Sequence, residues 1–587
     1  MNDRDYRAAE AHSDEQMRSA ARPGTRRTAT RPETRSEATP PRRGRWAPAR
    51  GVGHARPVVD ALPRPTAHPI DQPSQWGRFA RLQRRLDATT VPWRGASRRS
   101  VVLLPSRSVD RWHEPPAETR SYEERLLSFL FDLHDPGLDL TYVTSLPLAQ
   151  RTVDYYVSLL PRRLRHSARK RLRFVALGDA GQRPLSEKLL ERPRVLEEIR
   201  RSLAHPDTAY LMPYNSTAVE RDLALALDIP LYGPDPDHAW LGTKSGSRTL
   251  FARVGLPHPL GTAQIRTIPG AVDAICALRA RKPELAELVI KLDLAVSGEG
   301  NALLDLAGLP KPGTFEEGAL IQQRLERLVP AIEGVSSAAY LRKLAEHGGV
   351  VEERITGREL RSPSVQLEIT PAGAVTLLST HDQILHGRSG QEFAGCRFPA
   401  DPGYAPMISA LAQRAAEHLA DAGLIGRLAI DFLVIRAAHD VWQPFALEVN
   451  LRMGGTTHPY QTLAGLTGGS YDPATASFTT PRGHPRHYVA TDHCEIPQLQ
   501  TLGRAGLFAQ ATRAQLRYDN TRRRGVVFHM LSSVEPLATV GMTAIADAPQ
   551  KAEELFARAR TILARPDDTS GRQDHATPVR AALSTGD

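Results

Sequence analysis

The chain is poor in cysteine, in lysine and in long apolar runs, and each shortage excludes something. Three cysteines, Cys276, Cys396 and Cys494, stand far apart in 587 residues, with no CxxC pair. That spacing argues against a disulfide framework and a zinc cluster, and indicates free thiols in a reducing compartment. No apolar run approaches the roughly 18 residues of a membrane span, and the N-terminal MNDRDYRAAEAHSDEQ lacks the apolar region of a signal peptide. A cytoplasmic location is expected. The sequence has no Walker loop GxxxxGKS/T and no GxGxxG after a strand. Any nucleotide must therefore be held in some other way.

The net charge of +11 resembles a nucleic-acid footprint, but its distribution says otherwise. Residues 1 to 100 hold 21 Arg and no Lys against 10 acidic residues, which is the whole excess; the rest has 55 basic and 55 acidic residues. No requirement for nucleic acid follows. The segment TRRTATRPETRSEATPPRRGRWAPARG has neither helical nor strand periodicity, so residues 1–98 are expected to be a disordered Arg/Pro-rich tail. A second polar tail is expected at 566–587.

A chain this long needs several cores. From Val101 to about residue 240, strand-like runs such as RFVAL and AYLMPY alternate with amphipathic segments such as SYEERLLSFLFDLH, an α/β pattern. A second block, 241–475, carries the strand ELVIKLD, the turn VSGEGN, the strand GVVEERI, a helix Pro406 to Ala422 stopped by Gly423, and the strands RLAIDFLVI and FALEVNLR. A third block, 476–565, runs from HYVATDH to the helix KAEELFARARTIL.

Chemistry gathers on the stretch LEVNLRMGGTTHP. A strand's period of two puts Glu448, Asn450 and Arg452 on one face and Leu447, Val449, Leu451 and Met453 on the other. If RLAIDFLVI pairs with FALEVNLR as an antiparallel neighbour, Asp431 joins Glu448 and Asn450. Two carboxylates and an amide oxygen are hard ligands, which select Mg²⁺ or Mn²⁺ over zinc. Lysine is scarce, 8 against 68 Arg, so Lys291 in an apolar strand, with Ser297, Gly298, Glu299, Gly300 and Asn301 just after it, stands out as a phosphate site. Lys244, four residues before Arg248 on a short helix, is a second candidate.

In order along the chain, TKSGSRTLFARVGLPHP, VIKLDLAVSGEGN, VVEERITGREL, GRLAIDF and LEVNLRMGGTTHP resemble the ATP-grasp ligases. The block ending in LYGPDP resembles a pre-ATP-grasp domain, and GVVFHML with the closing helix resembles the C-terminal domain of the pheganomycin-type peptide ligases. The fold class this implies is α/β and α+β: an ATP-grasp domain (241–475) after an α/β pre-ATP-grasp domain (99–240), followed by a C-terminal ligase-family domain (476–565).

The resemblance also implies roles. Lys244 and Lys291 match lysines on the ATP phosphates, and Ser297 to Asn301 matches the loop that closes over them. Glu352, Glu353 and Ile355 lie in the hinge whose backbone meets adenine, and Glu359 is placed for the ribose hydroxyls. Asp431, Glu448 and Asn450 match magnesium ligands; Arg427 and Arg452 match arginines near the transferring phosphoryl group. The implied reaction joins a small-molecule or peptide carboxylate to an amine through an acyl phosphate, with ATP becoming ADP and phosphate. A thiol or other acceptor, or nucleotide binding without turnover, are the alternatives. His381, Asp382, Gln383, Thr456, Thr457 and His458 are candidate substrate contacts.

Overall fold

The first apolar run after the Arg-rich segment, Arg99–Leu104 (β1), is buried along its whole length. Strands buried on both faces are typical of parallel sheets, and β1 lies inside one. The order is β3 (Leu172–Ala176), β2 (Leu138–Thr144), β1, β4 (Tyr210–Pro213), with each neighbouring pair parallel. This arrangement comes from a computed structural model, which describes residues 73–88, 98–108, 120–295, 298–386, 390, 392–436 and 440–565. The expectations for residues 1–72 and 566–587 lie outside the described residues.

The helix Pro73–Ala88 corrects the tail boundary set at residue 98. Phe79, Leu82 and Leu86 repeat at three-to-four spacing and are 2%, 6% and 1% exposed. Phe79 and Leu82 pack with Val102, Leu104 and Leu223 beside the parallel sheet. The Arg-rich composition hid this short stripe. Phe79→Ala should destabilise the protein by about 3 to 5 kcal/mol, the usual cost of emptying a buried Phe site. Urea unfolding followed by circular dichroism would check it; an unchanged midpoint would show that the helix contributes nothing to the body.

A second, antiparallel sheet is small. Its order is β7 (Val329–Pro330), β6 (Asn301–Asp305), β5 (Glu287–Leu292), β8 (Gly349–Glu353), and its core includes Ile275, Ile290, Ile321 and Tyr340. The third sheet is antiparallel and has nine strands: β9 (Leu360–Arg361), β10 (Pro363–Ile369), β11 (Val375–His386), β12 (Glu392–Phe398), β13 (Gly426–Arg436), β14 (Trp442–Asn450), β17 (His487–Glu495), β18 (Gly525–His529) and β19 (Thr539–Ala546). The hairpin β15 (Ser470–Asp472) and β16 (Ser477–Thr479) precedes β17. The large sheet runs β14-β13-β10-β11-β12-β17-β19-β18, so its strands continue across the boundary drawn at residue 475. One apolar cluster joins Leu103, Phe131 and Tyr210 to Phe528, Met542 and Leu563. The first and last blocks of the sequence thus share a core.

The amphipathic segment SYEERLLSFLFDLH is more deeply buried than that pattern implies: its apolar part forms the 3-10 helix Arg125–His134, buried from Leu126 to Leu133. Just before it, Glu124 accepts a hydrogen bond from the Ser532 backbone N–H at 3.2 Å. Burial pushes this carboxyl up from 4.5 to about 7, against the lowering effect of its Ser532 bonds. A raised folded pKa means that the native state holds a proton which the unfolded state releases. The associated stability is complete below the unfolded pKa of 4.5 and is lost as pH rises through about 7. Glu124→Gln should therefore unfold at a higher temperature than the parent at pH 8 and at the same temperature at pH 4. Melting curves across that range are the measurement.

Candidate active site

The strands β13 and β14 pair antiparallel, with Asp431 opposite Glu448 and Ala429 opposite Asn450. This is the pairing expected from the sequence, and it brings the two carboxylates and the amide together. Asn450 Nδ2 donates to Asp431 Oδ2 at 2.9 Å and to Glu448 Oε1 at 3.3 Å, and Arg452 Nη2 donates to Asn450 Oδ1 at 2.8 Å. Gln383 Nε2, from β11, donates to Asp431 Oδ1 at 3.1 Å. The register slips between Asp431 and Phe432, leaving Leu447 as the extra residue. Such a bulge re-aims a side chain. Leu447 accordingly lines the cavity rather than sharing the core with Val449, Leu451 and Met453, which corrects the simple alternation.

Across from these strands stands the small sheet. Lys291 on β5 is paired in register with Asn301 on β6 and Val350 on β8. Its ammonium lies 2.7 Å from Glu352 Oε2, while Arg248 Nη1 lies 2.6 Å from Glu352 Oε1. Burial would raise the Glu352 carboxyl, but Lys291 and then Arg248 prevail and hold it below the usual range. Lys244 opens the helix Lys244–Val254, whose N-terminus is capped by the Thr243 hydroxyl accepting from the Gly246 N–H at 3.0 Å. Lys244 ion-pairs with Glu448 and donates to the Ala295 carbonyl at 3.2 Å. Burial opposes the charge on Glu448, yet Lys244, Lys291 and Arg452 outweigh it and keep the group ionised. Asp431, facing burial and the Glu448 charge together, is pushed up instead.

These groups line one cavity of about 650 Å³. It takes in Lys244, Lys291, Gly298, Glu299, Gly300, Asn301, Glu352, Glu353, Ile355, Asp431, Glu448, Asn450 and Arg452. Ser297 lies outside the described residues. In the loop, Gly298 has φ +78°, and a Cβ on Gly300 would collide with the Ala295 side chain, so glycine is required there. The Glu353 carboxylate turns to the Leu260 N–H (2.8 Å) and Lys282 (2.6 Å).

Two expected site residues are placed elsewhere. Arg427 alternates onto the Asp431 side of β13 but sits four residues away, about 13 Å along a strand. Its guanidinium is taken by Glu368 (3.4 Å), Gln461 (3.1 Å) and the Phe129 ring, outside the cavity. Glu359 is likewise not a lining residue; it ion-pairs with Arg361 at 2.7 Å and Arg436 at 3.1 Å. Of the candidate substrate contacts, Gln383 and Thr456 line the cavity. His381 is buried and bonded to the Tyr488 hydroxyl at 2.6 Å, and Asp382 is bonded to the Tyr404 hydroxyl at 2.5 Å. Thr457 and His458 are buried at the start of the helix Thr457–Thr467.

The cavity also has a wall supplied from outside residues 241–475, by Arg107, Tyr122, Arg125, Tyr214, Asp492 and Met530, none of them among the residues expected from the sequence. The one hint was Arg107 and Tyr214 just beyond strands of a parallel sheet, where ligands commonly bind.

Residues 335–474 match the family model described as IQCH-like, ATP-grasp, and residues 506–559 match the PGM1 C-terminal domain. Residues 335–474 therefore resemble the ATP-grasp family. Over most of its length the chain resembles the pheganomycin-type ligases: it is 29% identical over 482 residues to the L-propargylglycine--L-glutamate ligase of Streptantibioticus cattleyicolor, covering 79% of this chain and 94% of that one. It is also 23% identical over 546 residues to IQ motif-containing protein H of Danio rerio, covering 84% of this chain but about half, 51%, of that longer protein. Among solved structures, biotin carboxylase from Campylobacter jejuni aligns over 79% of this chain and 94% of its own, with 13% identity and a TM-score of 0.48.

Proposed function

We propose that this protein is an ATP-dependent, ADP-forming ligase that joins a carboxylate to an amine. The observation that carries the reading is the facing of Asp431, Glu448, Asn450 and Arg452 on β13 and β14 to Lys291 and Lys244 across one cavity. Two carboxylates and an amide with no His or Cys suit Mg²⁺ or Mn²⁺, and Mg²⁺ commonly takes only one or two protein carboxylates beside nucleotide phosphates. Among the described residues no group of three or more His, Cys, Asp or Glu forms a denser metal site. Asp431, Glu448 and Asn450 would hold the ion, which supplies charge neutralisation for the phosphates.

In the proposed reaction a substrate carboxylate oxygen attacks the γ-phosphorus, the bond to the β-phosphate oxygen breaks, and ADP leaves. The amine then attacks the acyl carbon and phosphate departs as the amide forms. Lys291 and Lys244 hold phosphate charge, Arg452 meets the transferring group, and Gly298 to Asn301 bring backbone N–H groups to the phosphates. Ile355 and the backbone at Glu353 border the adenine. Substrates are small-molecule or peptide carboxylates and amines, with no need for nucleic acid or membrane, and we place the protein in the cytoplasm. No helix among the described residues is long and apolar enough to cross a membrane.

Incubation with ATP, Mg²⁺ and amino-acid pools, with ADP and new amides followed by mass spectrometry, tests the reading. Amide formation with matching ADP supports it; ATP hydrolysis without any amide would reject it.

A further inference from the structure

Arg452 is followed by Met453, Gly454, Gly455 and Thr456, and of these Gly454, Gly455 and Thr456 line the cavity beside Arg452. A pair of glycines leaves the backbone wide freedom, so something else must fix this turn. Its near end is held by main chain: the Met453 N–H donates to the Tyr214 carbonyl at 3.1 Å, and Arg452 bridges to Asn215 just beyond β4. Its far end is held by one buried side chain. Gln366 of β10, 4% exposed, donates from Nε2 to the Thr456 carbonyl and to Ser379 Oγ, each at 3.0 Å, while its Oε1 accepts from the Thr457 hydroxyl at 2.9 Å. That hydroxyl in turn accepts from the Gly454 N–H at 3.0 Å. Both polar atoms of the Gln366 amide are thus committed, and Gln366 is not among the residues that line the cavity. Beyond its chain neighbours, nothing among the described residues lies within 4 Å of the Cβ position of Gly454, so hydrogen bonds rather than packing place that residue.

We propose that Gln366 is a positioning residue of the ligase: through Thr456 and Thr457 it fixes the turn at 454–456 beside Arg452, and with it the seat of the carboxylate substrate. The inference rests on the ligase reading above. Glu448 and Asn450 precede Arg452 along the chain and the glycine turn follows it, so a substrate that meets the transferring group at Arg452 rests against the turn. The nucleotide lies on the other side. In-line attack needs the reacting atoms about 3 to 3.5 Å apart, and a displacement of roughly 1 Å can cost about 10²-fold in rate. A side chain that never touches the substrate can therefore set the rate, provided that it alone holds the far end of a loosely packed turn.

The test gives the full-length protein ATP, Mg²⁺, each L-amino acid in turn as the carboxylate, and hydroxylamine, which converts an acyl phosphate to a hydroxamate with release of phosphate. Hydroxamate and ADP are quantified. Gln366→Met, which keeps the side-chain length but none of its hydrogen bonds, should lower kcat about 10²-fold and raise KM for the amino acid, with KM for ATP unchanged. Thr457→Val should do the same, and Thr457→Ser should stay close to the parent, because only the hydroxyl is needed. The double variant Gln366→Met with Thr457→Val removes both partners of the buried bond, so its melting temperature should recover part of what the single variants lose while kcat stays low. Activity that returns with the melting temperature in the double variant, or parent values of kcat and amino-acid KM in Gln366→Met and Thr457→Val, would overturn the positioning role and leave the ligase reading standing. Absence of hydroxamate from the parent protein with every amino acid would overturn both.

Discussion

Glu448→Gln should lower turnover by about 10²- to 10³-fold, the usual effect of losing one electrostatic contributor at a phosphoryl or acyl centre. Part of that loss should return when Mg²⁺ is raised or Mn²⁺ substituted, because the variant keeps an oxygen donor and loses only charge. Arg452→Lys should also be slow, with little change in metal dependence, since it keeps the charge and loses the planar fork. A structural ion pair predicts a different pattern. The Glu448 partner in the structure is Lys244, whereas Arg452 binds the Asn450 amide and the Met453 carbonyl. Were the cluster merely structural, Glu448→Gln and Lys244→Met would lose stability together, and neither would respond to metal. Stability should fall less in Glu448→Gln than a lone lost ion pair would suggest, because removing the Glu448 charge also relieves Asp431, whose carboxyl is pushed up by burial first and by Glu448 second. Turnover against Mg²⁺ concentration, together with melting temperature, separates the two.

Lys291→Ala should nearly abolish turnover and weaken ATP binding, but it should not be silent in stability. Glu352, 2% exposed, would be left with Arg248 as its remaining ion-pair partner, at a cost of about 1 to 3 kcal/mol for the poorly satisfied buried group. The companion Glu352→Gln separates the two roles. It frees Lys291 from its partner yet keeps the ammonium facing the cavity, so it should retain far more turnover than Lys291→Ala at a comparable loss of stability. Steady-state kinetics in ATP and urea melts check this. Equal loss of activity in both variants would make Lys291 a structural residue.

Much of the site was legible because it is local. The alternation in RLAIDFLVI and FALEVNLR, joined by a short polar connection, implies an antiparallel pair, and that pair alone brings Asp431 to Glu448 and Asn450. Where a second strand competes, the same alternation misleads. Arg427 obeys it and is still lost to the site, because Glu368 on β10 stands directly opposite. Leu447 departs from it because the bulge adds one residue to β14. The Glu352 carboxylate, expected only as part of the adenine hinge, is spent on Lys291 and Arg248, one from a neighbouring strand and one from a helix.

The sequence by itself determined the strands and helices that carry the five motifs, the hard-ligand chemistry of Asp431, Glu448 and Asn450, and the class of reaction those motifs imply. Each depends on residues within one strand, turn or adjacent pair, where side-chain period and turn chemistry act over a few residues. Only the tertiary structure decided that the sheet runs on through residues 487–546, that helix Pro73–Ala88 packs on the body, and that Arg107, Tyr122, Arg125 and Asp492 close the cavity. Those contacts join residues as far apart as Tyr156 and His529, 373 positions along the chain. They arise from burying shared apolar surface, which composition drives but does not address to particular partners.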